Sequence, residues 1–226
     1  MINIRKSVEF RSRKDNFTSE TGSGIQITST RVERSGIGDI TAIVLAGGLS
    51  LRMGGPDKSM LQVNGVPLIQ HIVAQLENHF REIIIGGDEK KYSFLGHKVV
   101  PDEAPGSGPL MGVYSCLARS VTDLNFITAC DIPEIRIEFI EKMVGISEGA
   151  DIVMPVSESG KYEPLHAIYR RSVLPAAGKM LGEGRLKLSE LAGKVETRYI
   201  RFDGCGWYHN LNNKDDYERY KGLVAG

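Results

Sequence analysis

Two glycines and two cations lie close together early in the sequence, where they could bind an anion. Gly47 and Gly48 carry no side chain, so the backbone N–H groups at this position can approach a phosphate closely. Arg52 and Lys58 follow, and an arginine fork and a lysine ammonium both suit phosphate oxygens. A glycine pair with a nearby lysine is also typical of an ordinary surface turn. These four residues alone leave a phosphate site and a solvated turn both open.

The loop differs from two well-known nucleotide-binding motifs. A Walker P-loop has glycine directly before its Lys-Ser pair, whereas Asp57 precedes Lys58 here. The glycine spacing also fails to match GxGxxG, so a nicotinamide cofactor is not indicated. A nucleotide bound at this position would therefore be held by another kind of loop.

Asp131 is the strongest candidate for a metal ligand. It follows the apolar run Asn125–Ala129, where a carboxylate can face a crevice. A nucleoside triphosphate needs a divalent cation, and magnesium binds one or two carboxylates together with phosphate oxygens and water. The alternative is that Asp131 caps the next helix. Two residues that look reactive, Cys130 and His166, are predicted to be packed side chains.

Short apolar runs that end in glycine, proline or aspartate predict the strands that position these residues. The predicted strands are Ile40–Leu45, Glu82–Ile85, Lys98–Val100, Asn125–Ala129, Ile152–Met154, His166–Tyr169 and Val195–Phe202. Helical patterns begin at Pro67 and cover Pro109–Ala118, Ile137–Val144 and Asp215–Leu223. This alternation predicts an α/β fold with a mainly parallel sheet and helices on both faces. Ligands of such sheets bind beyond the carboxyl ends of the strands, where we expect Gly47, Gly86, Asp102 and Asp131.

The composition narrows the class of protein and its environment. Of the 226 residues, 41% are hydrophobic, and 28 Lys and Arg residues balance 28 Asp and Glu residues. The neutral net charge argues against broad attraction to nucleic acid or membranes, and no apolar run reaches the ~20 residues that span a bilayer. Cys116, Cys130 and Cys205 form no CxxC pair, so neither a disulfide framework nor a zinc site is predicted. A reducing cytoplasm is the expected setting.

The first part of the chain differs from the rest. Residues 1–39 are rich in Ser, Thr, Arg and Gly and contain few large apolar side chains. Such a segment cannot offset its ordering entropy by burial, so a flexible tail is predicted, with short strand character at Ile25–Thr28. The folded domain is predicted to cover residues 40–226.

Several blocks of the sequence resemble those of the molybdenum cofactor guanylyltransferases. Residues 45–58 have the pattern Leu-Ala-Gly-Gly-x-Ser-x-Arg-Met-Gly-Gly-x-Asp-Lys, which is similar to that family's signature. Four further blocks follow in the family's order and at sensible spacing: Gly108–Gly112, Cys130–Pro133, Glu163–Tyr169 and Asn210–Asp216. Together the blocks cover nearly all of the chain after the tail.

The resemblance implies a Rossmann-like nucleotidyltransferase fold and transfer of GMP from GTP to the phosphate of molybdopterin. It implies Mg²⁺ as the cofactor, with Asp131 as its ligand and Arg52, Lys58 and Asp131 as the catalytic residues. The nucleotide-binding residues that it implies are Leu45, Ala46, Gly47, Gly48, Lys58, Gly86, Asp102 and Asp131. The resemblance also implies cofactor-delivery proteins and apo-molybdoenzymes as partners of this protein.

Some positions keep a second interpretation or depart from the family pattern. Asp102 could instead be a Pro-Asp turn residue. Asn210 and Asn212 would complete the metal or pterin side, or serve as turn residues. Gly86 stands where some members carry Asn, so a contact to the base there would come from the backbone. Asn213-Lys214 replaces the family's Thr-Pro.

Two other functions remain to be compared with guanylyl transfer. Cytidylyltransferases of the same fold often carry Ala-Ala-Gly where this chain has Ala46-Gly47-Gly48, and sugar-nucleotide enzymes usually place Pro before the Lys, where this chain has Asp57. A non-enzymatic nucleotide sensor would tolerate the loss of Arg52, Lys58 or Asp131, and all three are present. The sequence therefore favours an enzyme that uses GTP.

Overall fold

A seven-stranded sheet forms the centre of the protein in a computed structural model that describes residues 36–47, 57–202 and 207–224. Its strands are β1 (Thr41–Leu45), β4 (Glu82–Gly86), β5 (Lys98–Val100), β6 (Leu124–Ala129), β7 (Ile152–Val156), β8 (His166–Arg170) and β9 (Thr197–Arg201). The strand order is β5-β4-β1-β6-β8-β7-β9. Strands β2 (Gln62–Val63) and β3 (Val66–Pro67) form a separate antiparallel pair.

The sheet is mainly parallel, as the sequence predicts. Strand β8 is the exception, since it pairs antiparallel with both β6 and β7. The chain runs outward from β1 to β4 and β5 and then returns to the other side of β1 at β6. The carboxyl ends of β1 and β6 therefore meet where the strand order reverses, which is the usual ligand position in such sheets.

Helices cover both faces of the sheet. They are α1 (Leu68–Leu76), α2 (Glu89–Tyr92), α3 (Gly108–Arg119), α4 (Ile137–Gly145), α5 (Leu174–Gly182), α6 (Leu188–Leu191) and α7 (Lys214–Val224). Helices α1, α4 and α7 share one core cluster with Ala42 and Val44, whereas α3, α5 and α6 share the other with Ile43 and Leu45. Successive side chains of β1 point alternately into one core and then the other, so the whole strand is buried. The predicted α/β class is confirmed.

The β2–β3 hairpin lies against the last helix. Asn64 and Gly65 form its turn with φ angles of 49° and 81°, a left-handed conformation that glycine and asparagine tolerate best. The Tyr217 hydroxyl of α7 donates to the Gln62 carbonyl at 2.6 Å. This contact ties α7 to the segment that carries Lys58.

Ile37 lies before residue 40, the predicted start of the domain, yet its side chain is buried in the same core as α1 and α7. The predicted tail, apart from residues 36–39, lies outside the described residues, and so does the predicted strand at Ile25–Thr28. Among the helices that the structure describes, none is both long and apolar enough to cross a bilayer.

Candidate active site

The loop after β1 is held by the end of β4. The backbone N–H groups of Ala46 and Gly47 both donate to the Gly86 carbonyl, at 2.9 and 3.1 Å. A Cβ at Gly86 would lie 2.8 Å from Leu45 Cδ2 and 2.9 Å from Cys116 Sγ, closer than packed atoms approach. A side chain at this position would have to displace Leu45 or Cys116, and Gly86 contacts the loop through its backbone carbonyl. The loop residues Gly48 and Arg52 lie outside the described residues.

Asp131 lies just beyond β6, beside the end of β1. The Cys130 N–H donates to the Leu45 carbonyl at 3.1 Å, which joins the two strand ends. Helix α4 begins at Ile137 with Arg136 at its N-cap position, so the alternative that Asp131 caps this helix is wrong. Burial raises the pKa of the Asp131 carboxyl, and the positive charge of Lys58 partly opposes that rise. Lys58 therefore lies within electrostatic reach of Asp131.

The Lys58 ammonium binds the segment that precedes α7. Its Nζ donates to the carbonyls of Leu211 and Asn212, each at 2.8 Å. The Leu211 N–H in turn donates to the Asp131 carbonyl at 2.8 Å. Residues 58, 131 and 210–212, which are far apart in the sequence, thus form one group at the carboxyl edge of the sheet.

Asn210 and Asn212 have different surroundings. The Asn210 side-chain oxygen is buried and has no hydrogen-bond partner among the described residues. The Asn212 side chain is exposed, and its backbone N–H donates to Asp216 at 3.1 Å. Asp216 also accepts from the Asn213 N–H, and Asn213 accepts from the Asp216 N–H, an arrangement that caps the start of α7. Asn210 therefore offers a buried side-chain oxygen to a ligand, whereas the Asn212 side chain faces solvent.

A second carboxylate, Glu163, lies near Asp131. Its side chain is buried, it accepts a hydrogen bond from the Tyr208 hydroxyl at 3.0 Å, and Lys161 lies 3.0 Å from it. The negative charge of Glu163 adds to the rise in the pKa of Asp131. Glu163 is not among the site residues predicted from the sequence. Its position directly before a Pro-Leu pair, in a block that resembles the family, was the available signal.

An aromatic cluster supports the segment that carries Asn210. His166 is fully buried, with ring centroids 5.1 Å from Phe126 and 5.5 Å from Tyr208, and Trp207 packs 5.8 Å from Phe139. Burial lowers the pKa of His166 to about 3, so the imidazole is neutral at ordinary pH. The packed role predicted for His166 is confirmed.

Cys130 is also unsuited to nucleophilic chemistry. Desolvation raises the pKa of its thiol to about 12, and the nearby Asp131 charge adds to the rise. A thiol with such a pKa stays protonated at neutral pH and is a poor nucleophile. This agrees with the predicted packed role.

Asp102 follows β5 on the other side of the loop. Burial raises the pKa of its carboxyl, and one of its oxygens would lie 3.4 Å from a Cβ placed at Gly112. A Cβ there would also lie 3.4 Å from Leu45 Cδ2. Asp102 therefore faces the first turns of α3, close to the side chain that ends β1.

A magnesium–nucleotide complex suits the donor atoms present. The described residues include no group of three or more His, Cys, Asp or Glu side chains that could hold a metal ion alone. Asp131 offers a carboxylate, and Asn210 in the adjoining segment offers an amide oxygen that has no partner in the part of the chain that the structure describes. Magnesium in nucleotide sites commonly takes few protein oxygens and completes its shell with phosphate and water.

Comparison with known proteins identifies relatives of this chain. A family model described as the MobA-like NTP transferase domain matches residues 42–195. A "Probable molybdenum cofactor guanylyltransferase" of Carboxydothermus hydrogenoformans is 31% identical over 188 residues, which cover 80% of this chain and 94% of that protein. The "Molybdenum cofactor guanylyltransferase" of Serratia proteamaculans is 30% identical over 193 residues, which cover 82% and 98%.

A solved structure shares the fold. The "Molybdopterin-guanine dinucleotide biosynthesis protein A" from Archaeoglobus fulgidus superposes with a TM-score of 0.70 at 23% identity, and the match covers 82% of this chain and 99% of that one. At this level of identity the superposition supports the architecture alone.

Proposed function

Because the chain belongs to the MobA-like NTP transferase family and is a nucleotidyltransferase, we propose that it transfers GMP from GTP to the phosphate of molybdopterin, with release of pyrophosphate. The observation that carries this proposal is the convergence of Lys58, Asp131 and residues 210–212 beside the glycine-rich loop. These are the group types that a triphosphate and its cation require.

Each part of the site has a defined role in the proposed reaction. Residues 45–48 contact the guanine, and Gly86 fixes that loop through its carbonyl. Arg52 and Lys58 hold the phosphates. Asp102 faces the nucleotide from the end of β5. The acceptor phosphate lies on the side of Asn210 and Asn212.

The chemistry needs positioning and charge stabilisation. An oxygen of the acceptor phosphate forms a bond to the α-phosphorus, and the bond from that phosphorus to the bridging oxygen breaks in line. The electron pair of the broken bond leaves with pyrophosphate. Asp131 and Asn210 would hold Mg²⁺, which neutralises phosphate charge when it is bound. No covalent enzyme intermediate is required.

Two substitutions test these roles. Lys58→Ala and Asp131→Ala should each lower guanylyl transfer by about 10²-fold or more, because each removes a charge that faces the phosphates or their cation. Lys179→Ala on α5 is the control, since that lysine side chain is 78% exposed. Pyrophosphate release with GTP and molybdopterin measures the rate. Near-normal turnover in either purified variant would remove that residue from the mechanism.

The choice of nucleotide has its own experiment. Purified protein is incubated with molybdopterin and each labelled nucleoside triphosphate in turn. Gly47-Gly48 after Ala46, and Asp57 before Lys58, lead us to expect GTP to be preferred. Preference for CTP, or turnover with a sugar phosphate in place of molybdopterin, would contradict guanylyl transfer and support a cytidylyltransferase or another enzyme of the same fold.

The product would pass to cofactor-delivery proteins or apo-molybdoenzymes. We place this activity in the cytoplasm. The two cysteines in the described residues, Cys116 and Cys130, are free thiols, which suits a reducing compartment.

A further inference from the structure

Two buried hydroxyls connect the residues on either side of segment 48–56. The Tyr92 hydroxyl lies 3.1 Å from the Ala46 carbonyl oxygen and 2.9 Å from Ser59 Oγ. Ser59 Oγ in turn lies 2.8 Å from Asp57 Oδ1. Tyr92 is 1% exposed and Ser59 is fully buried, so water does not compete for these contacts. One tyrosine thus contacts both the base-binding side of the loop and the segment that contains Lys58.

The number of protons restricts how this connection can be made. Burial raises the pKa of Tyr92, so its hydroxyl stays protonated at neutral pH. Tyr92 and Ser59 have one hydroxyl proton each. Each of the three oxygen–oxygen contacts would need its own proton to be a full hydrogen bond, so two protons serve three contacts. Ser59 donates its proton to the Asp57 carboxylate at 2.8 Å, because a charged acceptor forms the stronger hydrogen bond. The Tyr92 proton then lies between the Ala46 carbonyl oxygen and Ser59 Oγ, so one hydroxyl contacts both segments. Asp57 also accepts from the Ser59 N–H at 3.0 Å and pairs with Lys91.

Neighbouring residues make room for the tyrosine and hold its helix. A Cβ at Gly87 would lie 2.6 Å from Tyr92 Cε2, so the ring fits only because Gly87 has no side chain. Asp88 caps α2 through the Lys90 N–H at 2.9 Å. Tyr92 ends that short helix, and Lys91, one residue earlier, pairs with Asp57. Helix α2 therefore brings two consecutive side chains to the same segment.

We propose that Tyr92 is a positioning residue for the nucleotide. Through Ser59 it holds Ala46 and Gly47 at a fixed separation from Lys58, so that the base-binding and phosphate-binding groups are in place before the nucleotide arrives. A loop whose ends are already joined loses less conformational freedom when the ligand binds. This role rests on the proposed use of GTP, and Tyr92 itself touches no reacting atom.

The first test is Tyr92→Phe, which keeps the ring against Gly87 and removes only the hydroxyl. We expect the Kd and KM for GTP to rise about 3- to 30-fold, the equivalent of one or two hydrogen bonds. We expect kcat to stay within about twofold, because the contact supports the bound nucleotide equally in the ground and transition states. A general loss of structure would instead lower kcat through the active fraction and leave KM unchanged.

A second variant and a control separate the local effect from a folding defect. Ser59→Ala breaks the same connection from the other side and leaves Tyr92 in place, so it should also raise the KM for GTP. In the double variant the two effects on KM should be less than additive. Tyr220→Phe also removes a buried tyrosine hydroxyl, 3.2 Å from His71, and should leave the KM for GTP unchanged.

Hydrogen exchange of the nucleotide-free protein gives a readout that does not depend on the substrate. Amides of residues 44–47 and 57–60 should exchange faster in Tyr92→Phe than in the wild-type protein or Tyr220→Phe. Unchanged exchange together with an unchanged Kd for GTP would overturn the positioning role. If the wild-type protein binds no GTP, the proposed function fails. The exchange comparison then decides the role of Tyr92 separately.

Discussion

A buried neutral histidine should make the protein less stable in weak acid. His166 is fully buried on β8 among Phe126, Phe139 and Tyr208, and burial lowers its pKa from the ordinary 6.5 to about 3. Below pH 6.5 the unfolded chain binds a proton at this imidazole, whereas the folded protein does not. Stability from this group is therefore complete above pH 6.5 and is lost as the pH falls towards 3.

The size of the effect follows from the two pKa values. One pKa unit corresponds to about 1.4 kcal/mol, so at pH 4.5, two units below the unfolded pKa, protonation of the unfolded state costs about 2.7 kcal/mol of stability. At pH 7.5 the same contribution is close to zero. This difference is a large fraction of the total stability of an ordinary domain, about 5–15 kcal/mol.

Urea unfolding at pH 4.5 and pH 7.5 measures this difference. In His166→Leu the imidazole is gone, so the fall in unfolding free energy between the two pH values should be smaller than in the wild-type protein by about 2.7 kcal/mol. Groups that titrate in both proteins cancel in this comparison. His79→Gln, at an exposed histidine, should keep the wild-type pH dependence. If His166→Leu also keeps it, the imidazole takes up its proton in the folded protein and the reasoning fails.

Two further substitutions test single contacts at the site. Gly86→Ala would place a Cβ 2.8 Å from Leu45 Cδ2, so we expect overpacking to lower the unfolding free energy by about 1–3 kcal/mol in urea. Gly145→Ala, where a Cβ meets no atom of the described residues within 4 Å, is the control, and equal effects would contradict the packing argument. Glu163→Gln removes a negative charge near Asp131 and should weaken Mn²⁺ binding in the presence of GTP about threefold or more, measured by electron paramagnetic resonance. Lys161→Gln should act in the opposite direction, and no change in either variant would show that Glu163 is too distant to matter.

The sequence predicts the strands near the site well because each is a short apolar run with a clear end signal. Strand β5 has the predicted bounds Lys98–Val100, and β6 ends as predicted at Ala129. Both are short and apolar; Pro101 follows β5 directly, and Asp131 lies two residues after the end of β6, so the pattern and the end signal agree. The direction of β8 has no such signal, because alternation along a strand is the same in parallel and antiparallel pairs.

Helix α5 was not predicted, for a related reason. It contains Pro175 and Gly178, residues that are typical of loops. Pro175 is tolerated in the first turn. At Gly178 a Cβ would lie 3.4 Å from the Tyr114 ring of α3, so a small residue allows the two helices to pack closely. Tertiary packing, which a local pattern does not contain, determines this helix.

Backbone acceptors explain why the site was only partly predictable. Residue types indicated that Lys58 and Asp131 would act together, but the contacts that join them run through the carbonyls of Leu211 and Asn212 and the N–H of Leu211. Every residue type supplies such groups, so the sequence contains no signal for them. The same holds for the Gly86 carbonyl, which binds the loop after β1.

The contacts of Lys58 give it two roles at once. Its ammonium has three N–H donors, and the described residues account for two of them, at the carbonyls of Leu211 and Asn212. The third can donate to a phosphate without releasing the segment that carries Asn210. Asn210 has a side-chain oxygen without a partner among the described residues, and it adjoins Leu211, which binds Asp131. The phosphate contact and the cation ligands therefore depend on the same tether. Lys58→Ala should therefore weaken Mn²⁺ binding as well as phosphate binding. A variant that loses turnover but keeps its full Mn²⁺ affinity would show that Lys58 acts on the phosphate alone.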